Sequence, residues 1–237
     1  MTQRQFLTAL VLVGITGIAR ADYEEERVLT LESRGIDLVD IEAGAGALEV
    51  IGVAGADTIT VTAHIRIDND EDDARRAIER DMTLTLDKDS DVARLVAHFD
   101  SGMFGWSDSP HIDLRVEMPD GMHLKVDDGS GSIEVSDLRG DIRIDDGSGS
   151  LMMNDVGGNI EIDDGSGSIT IRSAGGDVAI NDGSGSINVR GVAGSVTVDD
   201  GSGSIDVSDV DEDLIIVDDG SGGLDFSNIG GRVETDT

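Results

Sequence analysis

The sequence has no cysteine, only 3% aromatic residues and few basic ones. Without cysteine, disulfide bridges, thiolate metal centres and thiol catalysis are excluded. The 17 Lys and Arg residues stand against 50 Asp and Glu, which gives a formal net charge of −33. Because a surface of this charge repels phosphate groups, it argues against nucleic acids and anionic membranes as partners.

Glycine, by contrast, is abundant, with 32 residues, and most of it belongs to a repeat. The clearest copy is DDGSGSIEVSDLRGDIRI, from Asp127 to Ile144. Further copies begin at Asp145, Asp163, Asn181, Asp199 and Asp218, so the spacing is 18 residues four times and then 19. A fixed period of about 20 residues indicates stacked units, each too small to bury its own apolar face.

Within each copy, apolar residues alternate with polar ones, as at Ile133 and Val135, which is typical of a half-buried strand. Each copy therefore comprises a strand, a tight corner, a second strand and a glycine-rich corner. We expect positive φ angles at the tight corner, at Gly140, Gly158 and Gly176. Stacking like copies one strand spacing apart predicts an all-β fold, a parallel β-solenoid, right-handed by the usual chirality of parallel connections. An antiparallel sandwich is the alternative, and the near-constant period argues against it.

Residues 1–21 have the pattern of a secretory signal peptide. Arg4 precedes an apolar run from Phe6 to Ile18, and Ala19-Arg20-Ala21 forms a small-x-small cleavage site. No later stretch of the sequence is long and apolar enough for a transmembrane helix. We therefore predict an exported protein, periplasmic in the first instance, with secretion or the cell surface as the alternative.

The remaining chain is predicted to have three parts. Residues 22–67 contain N-terminal strands and a degenerate first coil of the solenoid. Residues 68–108 form an insertion with one short helix, from Asp70 to Asp81, followed by two strands and a loop that holds Trp106. Residues 109–237 contain the regular repeats, with coils of about 18 residues.

The degenerate first coil is the segment from Gly44 to Val61, GAGALEVIGVAGADTITV, which aligns with the later copies apart from two extra residues. Its first strand is predicted to contain Leu48 and Val50, and its second strand Ile59 and Val61. A degenerate first coil of this kind would cap one end of the solenoid.

The acidic pairs at the glycine-rich corners are the candidate metal ligands. In a stacked solenoid they form ladders, and the residues concerned are Asp127, Asp128, Asp145, Asp146, Asp163, Asp164, Asp182, Asp199 and Asp200. Like charges about 4.8 Å apart repel by roughly 1 kcal/mol per pair in water, so cations would stabilise the ladders. Calcium suits carboxylate, hydroxyl and carbonyl oxygens. The alternative is a set of solvated corners, in which each Asp accepts hydrogen bonds from the following backbone N–H groups.

A second acidic segment, Asp68 to Asp73 with Glu79, matches part of the calcium loop of an EF-hand. It lacks the glycine at the sixth position, where Asp73 stands, so an acidic helix N-terminus is the preferred interpretation. The four histidines are scattered, and no Ser, His and Asp set stands out. We therefore predict no catalytic residue and no organic cofactor.

One stretch resembles a known family. Val116, Met118, Pro119, Gly121, Leu124 and Val126 lead directly into the first DGSG corner. This entry and the following repeats resemble the bacterial putative-adhesin family of β-strand-repeat domains, a domain of unknown function. The resemblance covers roughly Asp22 to the C-terminus and is strongest over Ile112 to Phe226. It implies an exported β-solenoid with an adhesive role, and it brings no catalytic residues.

Three functions follow as hypotheses. The first is a non-enzymatic interaction or scaffold protein of the bacterial envelope, whose partner is a protein or a glycan. The second is a calcium-binding repeat module whose aspartate ladders need the metal. The third is a polysaccharide-acting enzyme, which rests only on analogy with other parallel β-helices.

Overall fold

The computed structural model describes residues 23–100 and 110–235. The predicted signal peptide and Trp106 lie outside the described residues. The fold is a parallel β-solenoid with one short helix among the described residues, as the repeat predicts. Within these same ranges, no helix has the length and apolar character needed to cross a bilayer.

The elements follow one another as strands interrupted once by a helix. The strands are β1 (Tyr23–Glu32), β2 (Leu38–Val53), β3 (Thr58–Ile67), β4 (Met82–Asp89), β5 (Val92–Phe99), β6 (His111–Pro119), β7 (His123–Ser136), β8 (Ile142–Asp146), β9 (Gly149–Val156), β10 (Ile160–Asp164), β11 (Gly167–Ala174), β12 (Val178–Asp182), β13 (Gly185–Val192), β14 (Val196–Asp200), β15 (Gly203–Val210), β16 (Leu214–Asp218), β17 (Gly223–Ile229) and β18 (Val233–Thr235). The helix α1 (Glu71–Asp81) stands between β3 and β4.

Two parallel stacks of strands carry the repeat. The short strands β8, β10, β12, β14, β16 and β18 pair in sequence order, and so do the longer strands β9, β11, β13, β15 and β17. The register places Ile142 beside Ile160, and Leu151 beside Ile169, 18 residues on. These inward side chains are at most 2% exposed, so like residues of successive coils form continuous buried columns.

The predicted first coil, Gly44 to Val61, contributes only its first strand to the solenoid, and that strand is part of β2. β2 pairs in parallel with β7 over both of its halves, so Leu48 lies beside Ile133 and Val50 beside Val135, as expected. The prediction for the second strand was wrong. Ile59 belongs to β3, which pairs antiparallel with β1 and β6. The chain reverses at Gly55, where φ is +74° and a backbone hydrogen bond closes a tight turn.

Part of the predicted insertion also stacks on the solenoid. β5 and β6 pair in parallel with the first and second halves of β2, so that together they occupy the place of a further coil. β4 then pairs antiparallel with β5, and α1 buries Ala74, Ala77 and Ile78 in the common hydrophobic core. Asp70 is the N-cap of the helix, which begins at Glu71. The N-terminal end of the core is therefore covered by antiparallel strands and a helix.

Positive φ angles do not occur where we predicted them. Gly140, Gly158 and Gly176 are not among the residues with positive φ. Their small size is needed instead, since a Cβ on Gly140 would overlap the carbonyl oxygen of Met122 in the coil below. The left-handed positions lie a few residues earlier, and in successive coils they are Asp137, Asp155, Ser173, Gly191, Asp209 and Asn228. Asp and Asn tolerate this conformation better than most residues.

Candidate functional site: two aspartate columns and the groove beside them

The two aspartates of each corner point to opposite sides of the sheet. The register stacks Asp127 on Asp145 and Asp128 on Asp146, and it continues through the later coils. Because successive residues of a strand alternate in direction, one column faces outward and the other inward. The outer column contains Asp127, Asp145, Asp163, Asn181 and Asp199, all exposed. The inner column contains Asp128, Asp146, Asp164, Asp182 and Asp200, which are 0–4% exposed.

Four of the five inner aspartates accept a hydrogen bond through one oxygen only. The Oδ1 of Asp146 accepts a hydrogen bond from the Ser148 backbone N–H at 3.2 Å, and the next three coils repeat this contact at 3.0–3.1 Å. The hydrogen bond predicted for the corners is thus confirmed. The expectation that these corners are solvated was wrong for the inner column. The Oδ2 atoms of all five inner aspartates are buried without a hydrogen-bond partner.

Burial of the inner aspartates favours their neutral form. Desolvation is the largest cause, and the next carboxylate of the column adds to it. Together they raise the pKa of Asp128 to about 7 and the pKa of Asp182 to about 6. The pKa values of Asp146, Asp164 and Asp200 are raised for the same main reason. Within residues 23–100 and 110–235, no ion pair with Lys, Arg or His offsets this burial.

The outer column has the geometry expected for a solvated ladder. Its carboxylates repeat at the strand spacing, and Asn181 donates to Asp163 across one coil at 3.4 Å. In the part of the chain that the structure describes, no group of three or more His, Cys, Asp or Glu side chains is arranged around a metal position. Metal binding by either column stays a prediction.

The second acidic segment serves the helix. The Oδ1 of Asp70 accepts the Asp73 backbone N–H at 3.0 Å, and three acidic residues occupy the first turn of α1. Both features stabilise the N-terminus of a helix, through capping and through the helix dipole. This agrees with the preferred interpretation from the sequence.

A third column, at the tight corner, was missed by the sequence analysis. Here a side-chain oxygen accepts the backbone N–H of the equivalent residue one coil later: Asp141 from Asn159, Asn159 from Asp177, and Asp177 from Ser195, at 2.8–2.9 Å. The sequence signal was an Asp or Asn immediately before the second strand, repeated every 18 residues. These bonds tie successive coils together at the rim of the sheet.

A shallow groove of about 560 Å³ runs beside this third column, over the outer face of the short strands. It crosses coils rather than following one strand. Its lining residues are Leu38, His123, Leu124, Lys125, Asp141, Ile142, Arg143, Asn159, Ile160, Glu161, Asp177 and Ala179. Arg143 forms an ion pair with Glu161 of the next coil, and Lys125 lies 3.3 Å from Asp40. At equivalent positions of successive coils the groove presents Lys125, Arg143, Glu161 and Ala179, so it offers charged groups of both signs along the axis.

On the opposite outer face, on the longer strands, one column contains Glu134, Met152, Thr170, Asn188 and Asp206. Thr170 and Asn188 lie side by side there, and Asp206 follows in the next coil. The column beside them contains Arg172 and Arg190. Arg172 contacts the Met152 sulfur at 3.8 Å.

Comparison with known proteins gives only distant matches. No family model and no curated protein matches the chain. Among solved structures, a putative adhesin from Bacteroides fragilis is 14% identical over 93% of this chain and all of that one, with a TM-score of 0.38. A putative cell adhesion protein from Clostridium sporogenes is 9% identical over 90% of this chain and all of that one, with a TM-score of 0.33. A putative adhesin from Parabacteroides merdae is 10% identical, over 90% and 96% of the two chains, with a TM-score of 0.36.

These names agree with the family that the sequence resembles around Val116 to Val126.

Proposed function

We propose that the protein is an exported, non-enzymatic interaction module of the bacterial envelope, and that it binds an extended polar partner in the groove over the short strands. The groove is the observation that carries this proposal. Its ion pair between Arg143 and Glu161 joins neighbouring coils, and Lys125 adds a second positive charge one coil before Arg143. A glycan chain or an extended polypeptide carries polar groups along its length that can pair with these charged side chains.

Charge reversal within the groove tests the proposal. The purified protein, the Arg143→Glu variant and the Arg172→Glu variant would be applied to an array of bacterial and host glycans, and immobilised for capture from an envelope extract. Arg172 is the matched control, because it is also an exposed arginine but lies on the longer strands. We expect a ligand whose binding is lost with Arg143→Glu and retained with Arg172→Glu.

Two results would overturn this assignment. Binding that Arg143→Glu leaves unchanged would place the ligand outside the groove, and the absence of any captured ligand would remove the interaction role. Turnover of a polysaccharide by the purified protein would contradict the non-enzymatic part.

A calcium-dependent module is a second proposal, favoured by the outer aspartate column. Asp127, Asp145 and Asp163 are exposed and in unbroken register, one strand spacing apart. A cation midway between two carboxylates separated by about 4.8 Å would lie about 2.4 Å from each, which is within the range of calcium–oxygen distances. Thermal melts with and without calcium, set out in the Discussion, test this proposal.

A further inference from the structure

The last described coil, formed by β17 and β18, has no further described coil stacked on its end surface. In the register of the stack, Phe226 follows Val207, Leu224 follows Ile205, and Val233 follows Leu214. The residues of the preceding coil are at most 2% exposed, whereas Phe226 is 46% and Val233 38% exposed. Three of the five exposed large apolar side chains in the described ranges lie in residues 217–235. Core positions of the solenoid are thus presented to solvent at this end.

The backbone of the same coil is also unpaired along one side. β17 pairs with β15 and β18 pairs with β16, and the register gives neither a second partner among the described strands. A free strand edge beside an exposed apolar core is a surface that favours edge-to-edge association.

The opposite end of the solenoid differs, because its core is covered. β3 and β4 pair antiparallel with β6 and β5, and α1 buries its apolar face there. Apart from Val53, residues 23–100 contain no exposed large hydrophobic side chain. Within residues 23–100, this end therefore offers no matching apolar surface on which a second copy could stack head to tail.

We propose that two copies of this chain associate through their last coils, end to end about a two-fold axis. Every inner coil buries this same surface against a nearly identical coil in parallel register, and the dimer would bury it against an identical coil in antiparallel register. A two-fold axis perpendicular to the sheets pairs β17 of the two copies antiparallel. Placing Leu224 of one copy opposite Phe226 of the other keeps both inside and brings the two Asp225 residues together at the axis.

Area and charge make this a weak dimer. A coil about 25 Å wide and 20 Å thick covers roughly 500 Å² per copy, so about 1,000 Å² in total, at the low end for a specific interface. The rim is acidic: Asp218, Asp219, Asp225 and Glu234 are opposed only by Arg232 in this coil. Repulsion between these rims is screened by salt, so we expect the dimer to strengthen as ionic strength rises.

Sedimentation equilibrium of the full protein tests the association. The weight-average mass is expected to rise from one chain toward two between roughly 1 and 300 µM, as for an interface of this size, and to do so at lower concentration in 0.5 M salt. The Phe226→Lys variant should remain a single chain. Met152→Lys is the matched control, because Met152 is 37% exposed on an outer face far from the end and its variant should behave as the parent. Thermal melts check that both variants fold.

Single cysteines locate the contact, since the chain has none of its own. Asp225→Cys places a thiol at the proposed axis, and diamide should oxidise two such thiols to one disulfide between copies. Asp206→Cys is the control one coil away, at the register position equivalent to Asp225, and should cross-link much more slowly. A constant mass of one chain at all concentrations, masses beyond two chains, or equal cross-linking at both positions would overturn the proposal.

Discussion

Replacing an inner aspartate by asparagine should stabilise the protein at neutral pH and change little in acid. Asp182 is the best position, because it lies inside the column, with an aspartate on either side at Asp164 and Asp200. Its Oδ1 accepts the Ser184 backbone N–H at 3.1 Å, and its Oδ2 has no partner. Asparagine keeps the accepting oxygen and the shape of the side chain, and removes the ionisation.

The size of the effect follows from the pKa. Burial and the two neighbouring carboxylates raise the pKa of Asp182 from 3.8 to about 6. The folded protein therefore holds a proton that the unfolded chain loses near pH 4, and stability falls as the pH rises from about 4 to about 6. Above that window the ionised aspartate costs about 3 kcal/mol, at 1.36 kcal/mol for each pH unit between the two pKa values.

The net gain is smaller than this cost, because the asparagine amide is left without an acceptor. An unsatisfied buried donor costs about 1 kcal/mol or more. We therefore expect Asp182→Asn to raise the free energy of unfolding by roughly 1–2 kcal/mol at pH 8, and to be neutral or slightly destabilising at pH 4.

Urea unfolding followed by circular dichroism between pH 4 and 8, with EDTA throughout, measures this difference. Asp199→Asn is the matched control, because Asp199 is an exposed member of the outer column. Its effect should stay within about 0.5 kcal/mol at every pH. If Asp182→Asn destabilised the protein equally at pH 4 and pH 8, the inner column would be ionised and paired, and the reasoning would fail.

Three further predictions concern the corners and the core. Gly167→Ala should abolish or severely weaken folding, because φ is +152° and a Cβ would overlap the carbonyl oxygen of Gly149. Gly121→Ala is the control: Gly121 has open space around it, so the melting temperature should not change. Ile171→Ala, at a fully buried core position, should cost about 2–5 kcal/mol in urea unfolding, and a smaller cost would mean that the coil collapses around the cavity. Millimolar calcium should raise the melting temperature beyond a magnesium control if the outer column binds it, and an unchanged melt would remove the calcium proposal.

The regular part of this fold could be predicted from the sequence because one period carries all of the necessary information. Alternation at Ile142 and Ile144 gave the inward faces, and the constant spacing gave the register. The inward direction of Asp146 follows from the same alternation, since it lies two residues after Ile144. The chemical character of aspartate obscured this, because carboxylates are rarely buried without a partner.

The N-terminal part could not be predicted in the same way. Ile59 and Val61 alternate as a solenoid strand would, and alternation alone does not distinguish a parallel neighbour from an antiparallel one. The turn at Gly55 decides the direction of β3, and its effect depends on whether β6 is available to pair with it. Because the paired residues of β3 and β6 are 45 to 57 positions apart in the chain, local sequence contains no signal for this pairing.

The two residues of each acidic pair are in different environments, because the first is exposed and the second is buried. The corner needs an acceptor for the backbone N–H of the serine two residues on, and an asparagine at the inner position would supply one without the cost of ionisation. The outer column does contain an asparagine, Asn181, whereas all five inner positions are aspartate. The hydrogen bond therefore does not account for the choice of residue. What the carboxyl group adds is an ionisation that is suppressed on folding, so the column makes each coil more stable as the medium becomes more acidic, and that dependence is what Asp182→Asn should reduce.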